Sequence, residues 1–428
     1  MRLSYKRLGS LRLSSMRMGD AWRSPATWPG YWLAVVFAVS ALYAGLFALI
    51  SSDSIHRLWG DMAFCGYGAA FVVAVILRGQ RWGKAGRWGV DIALVAALLG
   101  ALVVPLSVMA ARNLSQPEVE VVARSAVMLI HHGTPYASVA SLASTTDPNA
   151  YNPYLPVMAL FGLPRAVFGS GALTDPRIWF GLAFLVVFAW ALRAGGARDA
   201  LRWTILVVAS PVIALELAVG GTDVPMVAFL SLGFGLLART SSRRIVLAGI
   251  ALGIAAGMKA TAWPGLAVAI VMLAARDGWR VASRFTLVAV AVAAVCIGPF
   301  LTDPNPLVVN TIKFPLGLAG IQSAAASPLP GHLIAGLGKA GHTTVVALLV
   351  LTAIGVAATL ITRPPRTVPR AVFLLAWAMS LMFVLAPSTR FGYFIYPGTL
   401  ALWLLAVTAG RETGSRPDSY PVANAAQG

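Results

Sequence analysis

The sequence predicts an all-α, polytopic integral membrane protein of about twelve transmembrane helices, within a range of roughly 10 to 13. Three observations carry that prediction. Of 428 residues, 58% are hydrophobic and only 11% charged, against about 25% charged in an ordinary soluble domain. Apolar runs of spanning length recur along the chain and leave too little polar sequence to coat a soluble globule. The net charge of +18 falls on alternate loops, the pattern of a positive cytoplasmic rim.

A helix crossing ~30 Å of hydrocarbon needs about 20 largely apolar residues. The candidates are Tyr31 to Ser51, Met62 to Leu77, Val90 to Ala111, Ile178 to Leu192, Trp203 to Val219, Val224 to Ala238, Ile245 to Met258, Ala260 to Ala275, Phe285 to Leu301, Thr343 to Ile361, Ala371 to Pro387 and Phe391 to Gly410. Residues 245–275 form one apolar run broken by Lys259, with basic residues at both ends. That pattern puts both ends in the cytoplasm and predicts a tight hairpin with Lys259 at its outer tip. Leu155 to Gly169 is apolar but carries Pro164 and Arg165, and a span there would put Arg193, Arg198 and Arg202 outside. It reads as a re-entrant or surface-lying segment.

These choices divide the chain into a basic cytoplasmic segment (1–30), three helices (31–111), an outer loop (112–177), a helical block (178–301), a second outer loop (302–342), the last helices (343–410) and a cytoplasmic tail (411–428). Both termini fall in the cytoplasm of a multi-pass plasma-membrane protein. The basic N-terminus leads into an apolar run with no small-residue cleavage site, so it reads as a retained anchor, and Met16 and Met18 leave the start codon open. On this topology the whole +18 lies on the cytoplasmic side and the outer face nets to zero. The basicity is therefore an orientation signal, and no nucleic-acid partner is implied. Cys65 and Cys296 both lie in apolar runs and form no disulfide framework or metal site. No phosphate-binding glycine loop, dinucleotide fingerprint, serine elbow or His-Glu-x-x-His motif is present.

Function should therefore collect in the two long outer loops. Ser115 to Gly133 has helical periodicity, with Val119, Val122, Ala126, Leu129 and Ile130 on one face. It reads as an amphipathic helix lying on the membrane surface, ended by Gly133 and Pro135. Its acids, Glu118 and Glu120, have structural readings beside a catalytic one: Ser115 with Glu118 fits a capping box, and Glu120 with Arg124 an i,i+4 ion pair. His131 and His132 are adjacent, so they diverge by about 100° on a helix and read as surface residues. The stretch from Asp147 to Pro156 is rich in turns and aromatics; Tyr151 and Tyr154 fit an interfacial belt, with sugar stacking as the functional alternative. His332, in the second loop, is a further substrate-binding candidate. Glu216 and Asp223 flank the Gly220-Gly221-Thr222 turn, and an acid inside an apolar run is a functional hypothesis by default. Lys259 and Arg390, at outer turns, either snorkel or hold a lipid phosphate.

Several of these pieces together resemble the polyprenyl-phosphate-sugar-dependent glycosyltransferases of the C superfamily, closest to glycosyltransferase family 87, which includes actinobacterial mannosyltransferases. An acid, a helix, a Gly and a Tyr opening a large outer loop match Glu118, Gly133 and Tyr136. A Tyr-x-Pro entry matches Tyr151-Asn152-Pro153, a Gly-Gln-x-Asp-like turn resembles Gly220 to Asp223, and a Lys-x-x-Pro-like signature resembles Lys259 to Pro264. Glu stands where that family usually has Asp, Gly221 where Gln is common, and two extra spans precede the loop. The resemblance implies a membrane glycosyltransferase moving a sugar, mannose in those actinobacterial members, from a polyprenyl-phosphate donor to a lipid or glycan acceptor.

A sugar on a polyprenyl phosphate already has a good leaving group, so transfer needs a base for the acceptor hydroxyl and cations for the departing phosphate. A glycosidase would need two carboxylates about 5 to 10 Å apart. The expectation is inverting transfer, with Glu118 or, second, Glu120 as base, Arg390 and Lys259 on the phosphate, and Asp223 on a sugar hydroxyl. The outer acids permit a divalent cation without any spacing that demands one. A secondary transporter or lipid flippase and a non-catalytic partner of an envelope-assembly complex are the alternatives. Acids near the midplane would favour the former, and wide separation of the outer charges the latter.

Overall fold

The computed structural model describes residues 30–77, 84–321 and 325–411, and its secondary structure is almost wholly helical. Most of the basic N-terminal segment and of the tail lie outside these residues. The chain opens with a helical hairpin, α1 (Gly30–Ile50) and α2 (Ser54–Leu77). Next, α3 (Lys84–Leu98) runs through a π-helical turn at Leu99–Val103 into α4 (Val104–Ala111). An added Cβ on Gly66 would lie 2.6 Å from the Gly100 carbonyl carbon, so these two glycines let α2 and the π turn touch through backbone. Trp59 Nε1 donates to Ala101 O at 2.8 Å, and Tyr67 OH to Ala209 O at 2.6 Å, fixing the hairpin on its neighbours.

The first long loop holds α5 (Pro117–His132), α6 (Val139–Ala143) and α7 (Leu163–Phe168), with 3-10 turns at Pro148–Ala150 and Pro156–Gly162. The bundle resumes with α8 (Pro176–Gly195), α9 (Ala200–Val208), α10 (Pro211–Val219), α11 (Val224–Leu236), α12 (Ser242–Met258), α13 (Trp263–Asp277) and α14 (Trp279–Ile297). After short α15 (Pro304–Val308) and α16 (Pro330–Ala335), three long helices close the chain: α17 (Lys339–Thr362), α18 (Val368–Leu385) and α19 (Ile395–Arg411). Pro211 lacks the N–H that would continue α9, and the axis turns by 60° there.

Among the described residues nine helices are long and apolar enough to cross a membrane, or ten with the bent α9–α10 pair counted as one span. The sequence reading differs at α11 and α12, which have 13 and 17 residues. At 1.5 Å per residue α11 spans only about 20 Å. Its residues are buried by other helices almost throughout, so hydrocarbon thickness does not set its length.

Three local expectations change as well. The capping box at Ser115 does not form: Gln116 is the N-cap of α5 and Pro117 its first residue, a position where a missing N–H costs nothing. Arg124 turns away from Glu120 and donates to the carbonyls of Asn149, at 2.5 Å, and Ala150, at 3.2 Å. The apolar face of α5 packs on protein: Val119, Val122 and Ala126 are buried, and a Cβ on Gly162 would lie 2.8 Å from Ala126 Cβ. Residues 156–168 thus lie against α5 and add no full span.

Candidate active site

The site is built where the first long loop meets the turn between α10 and α11. Gln116 N donates to Val219 O at 2.7 Å, docking the N-terminus of α5 on the end of α10. The Gln116 side chain lies between Gly220, where a Cβ would sit 2.8 Å from its Oε1, and His56, whose Nε2 is 2.8 Å from its Nε2. Buried Arg177 braces the same junction: it pairs with Asp175 at 2.7 Å and donates to Leu114 O at 2.9 Å and Ala218 O at 2.6 Å. Glu118, in the first turn of α5, is thereby held at this junction, where the helix dipole favours a carboxylate.

Arg390 arrives from the other end of the chain. It caps a 3-10 turn, Phe391–Phe394, and the second loop grips the strand-like stretch before it. Thr389 N donates to Ala325 O at 3.0 Å, Ser327 N to Thr389 O at 2.9 Å, and Phe391 N to Ser327 Oγ at 3.1 Å. His332 Nδ1 lies 2.8 Å from Pro387 O, so this histidine holds the turn's approach. The outcome is an ion pair between Arg390 Nη1 and Glu118 Oε1, with the two side chains 32% and 18% exposed. Glu118 Oε2 is buried without a hydrogen-bond partner.

A second cluster lies alongside. Asp223 follows the Gly220-Gly221-Thr222 turn, in which Gly221 has φ +74°. Its carboxylate accepts from both Lys259 Nζ and Tyr396 OH. Lys259 stands in an extended residue at the break between α12 and the 3-10 turn Ala260–Ala262. Its ammonium is 5.3 Å from the Tyr154 ring centroid and 5.4 Å from that of Tyr393, a cation–π arrangement that favours the charged form. Leu155 N donates to Met258 O at 2.9 Å, which brings Tyr154 beneath Lys259. Tyr154 OH accepts from Thr222 Oγ1 at 3.3 Å, and Tyr396 OH is 2.8 Å from Thr261 Oγ1. Burial pushes the phenols of Tyr136 and Tyr154 well above the ordinary tyrosine value, so both stay neutral. Tyr393 N donates to Arg390 O at 3.1 Å, so one short turn joins the two clusters.

Glu118, Arg390, Asp223, Lys259 and Tyr154 therefore converge, and three other expected residues do not join them. Glu120 is exposed and lines a groove with Arg124 and Arg165. Tyr151 is buried and stacks on Phe314 at 4.6 Å, in a small apolar cluster with Leu142. Among the described residues His332 reaches the site through the Pro387 carbonyl. Sequence reasoning missed Tyr393, Tyr396, Gln116 and His56; the spacing of Tyr393 and Tyr396 from Arg390 was the available signal for the first two. Among the described residues no group of three or more His, Cys, Asp or Glu side chains is arranged to hold a metal ion.

The fold and site together define a multi-pass membrane protein with two carboxylate–cation pairs gathered at one end of a helical bundle. The profile of glycosyltransferase family 87 matches residues 152–387, more than half of the chain, and the protein belongs to that family of glycosyltransferases. Asp223, Lys259 and Tyr154 fall within the matched stretch; Glu118 and Arg390 flank it. Similar solved structures include ArnT from Cupriavidus metallidurans in the apo state, at 18% identity and TM-score 0.47, covering 76% of this chain and 60% of that one. The same protein bound to undecaprenyl phosphate is similar at 18% identity and TM-score 0.48, with 75% and 60% covered. The chain thus matches about 60% of the length of those structures. No curated protein matches it.

Proposed function

We propose that the protein moves a sugar, mannose as in the actinobacterial members it resembles, from a polyprenyl phosphate to a lipid or glycan acceptor. The reaction takes place at the outer face of the plasma membrane, with both termini in the cytoplasm, and inverts the anomeric centre. The observation that carries this reading is the Glu118–Arg390 ion pair beside the Asp223–Lys259 pair. It supplies one carboxylate for the acceptor and two cations for a phosphate at one place.

In the proposed step the acceptor oxygen attacks C1 of the donor sugar as the C1–O bond to phosphate breaks. Glu118 takes the acceptor proton, and polyprenyl phosphate leaves with the bonding electron pair, held by Arg390 and Lys259. Guanidinium groups suit phosphate because they donate two parallel hydrogen bonds. A phosphate that claims Arg390 also frees Glu118 to act as a base. Asp223 orients a sugar hydroxyl while Lys259 and Tyr396 hold its carboxylate. Glu120 lines a separate groove with Arg124 and Arg165 and, among the described residues, pairs with neither Arg390 nor Lys259, which favours Glu118. The contacts among the charged residues also favour an enzyme over a non-catalytic assembly partner.

The test is transfer by purified protein in lipid nanodiscs, given polyprenyl-phosphate [14C]mannose, -glucose or -galactose and an envelope-lipid extract as acceptor. The expected result is a labelled product of inverted anomeric configuration from one of the donors. Donor left intact in every case, while the protein remains folded, contradicts the reading.

A further inference from the structure

One acid at this site has no task in the proposed reaction. Glu216 lies in α10, within a spanning pair, where a carboxylate is costly to keep without a partner. Glu118 is paired with Arg390, and Asp223 with Lys259 and Tyr396. No ion pair or hydrogen bond engages the Glu216 carboxylate among the described residues. The residue is partly buried, with its carboxylate packed against Gly392 and not sealed by a polar partner.

Its position is specific. A Cβ on Gly392 would lie 3.0 Å from Glu216 Cδ and 3.1 Å from Oε2. Gly392 sits between Arg390 and Tyr393, so the carboxylate lies under the one residue of that turn that offers it room. Asp223, Lys259 and Tyr43 all lie within its electrostatic reach. Glu216 thus lies beside the Asp223–Lys259 pair and under the turn that follows Arg390.

We infer that Glu216 is a donor-sugar-binding residue, whose free carboxylate accepts hydrogen bonds from hydroxyl groups of the hexose. This rests on the glycosyltransferase reading above. A carboxylate offers two acceptor oxygens and no donor, which suits a pair of neighbouring hydroxyls. A site built to bind a hydroxyl strongly rejects an analogue lacking it, because its own polar group is left unpaired. Glu216 therefore helps decide which hexose is accepted. An anchor for the Phe391–Phe394 turn would instead have to accept from that turn's N–H groups, and the carboxylate makes no such bond.

The experiment measures kcat/KM of wild type, Glu216→Gln and Glu216→Asp with the accepted polyprenyl-phosphate hexose and with donors lacking one hydroxyl each. Wild type should discriminate at least a hundredfold against one of the deoxy donors. Both variants should cut that discrimination at least tenfold while leaving discrimination at the remaining positions within threefold. Glu216→Asp keeps the charge and shortens the reach, so the test survives if Glu216→Gln fails to fold. Losses of equal size with the parent and every deoxy donor overturn the inference and assign Glu216 a structural role. A wild type inactive with every lipid-linked hexose overturns the underlying reading, and this inference with it.

Discussion

Arg390, on the turn before the last helix, forms an ion pair with Glu118, on the first turn of the loop helix. The contact closes the site across most of the chain's length. It also makes each residue's state depend on the other: a ligand that takes the guanidinium uncovers the carboxylate. One carboxylate oxygen, Oε2, is already buried and unbonded.

Arg390→Ala should lower kcat/KM for the lipid-phosphate donor at least tenfold, and Arg390→Lys should recover only part of it, because a lysine cannot make the two parallel bonds. The double variant Arg390→Ala with Glu118→Gln should cost less than the sum of the two single changes, since residues in direct contact couple. Strictly additive losses in steady-state kinetics would show that the two act independently.

Asp223→Asn should leave Lys259 near two tyrosine rings without its carboxylate, and should reduce transfer more than Tyr396→Phe, which removes one donor to the same carboxylate. The comparison is read from initial transfer rates at saturating donor. A Tyr396→Phe loss equal to that of Asp223→Asn would place the phenol, and not the ion pair, at the centre of the cluster.

Gly221→Ala should destabilise the protein by about 1 to 2 kcal/mol, the cost of a left-handed backbone for a residue with a Cβ. Gly221 has φ +74°, and the added Cβ would lie 3.0 Å from Glu216 O. Thermal unfolding in detergent checks this. Gly133→Ala has the same backbone strain but open space around it, so it should cost less.

His332→Ala should raise the donor KM by a few-fold with little change in kcat, because among the described residues His332 meets the site through the Pro387 carbonyl before the Arg390 turn. A loss confined to kcat would mean that the imidazole meets the reacting groups directly.

Part of this site is legible because, once the positive-inside pattern has set the orientation, Glu118, Glu120, Asp223, Lys259 and Arg390 stand out among the outer charges, and four of these five meet while Glu120 does not. Which acid meets which cation was not legible: each pair joins segments far apart in sequence, and no local spacing encodes it. Tyr393 and Tyr396 were hidden because an aromatic at the start of an apolar run looks like an interfacial belt. The serine–glutamate spacing from Ser115 fits a cap as well as it fits a catalytic acid, and Pro117 decides against the cap by setting the first turn of α5. The length of α11 escaped hydropathy because a helix buried in protein is as apolar as one in lipid, with no thickness to match.

The role of Glu118 as the base is tested most directly by single-turnover transfer from the polyprenyl-phosphate sugar by Glu118→Gln, with Glu120→Gln as the matched control. A lost general base costs roughly 10²- to 10⁴-fold in rate. Glu118→Gln should slow by that factor, and Glu120→Gln should stay within threefold of wild type. Glu118→Gln within threefold of wild type, in protein that still folds, would contradict that role.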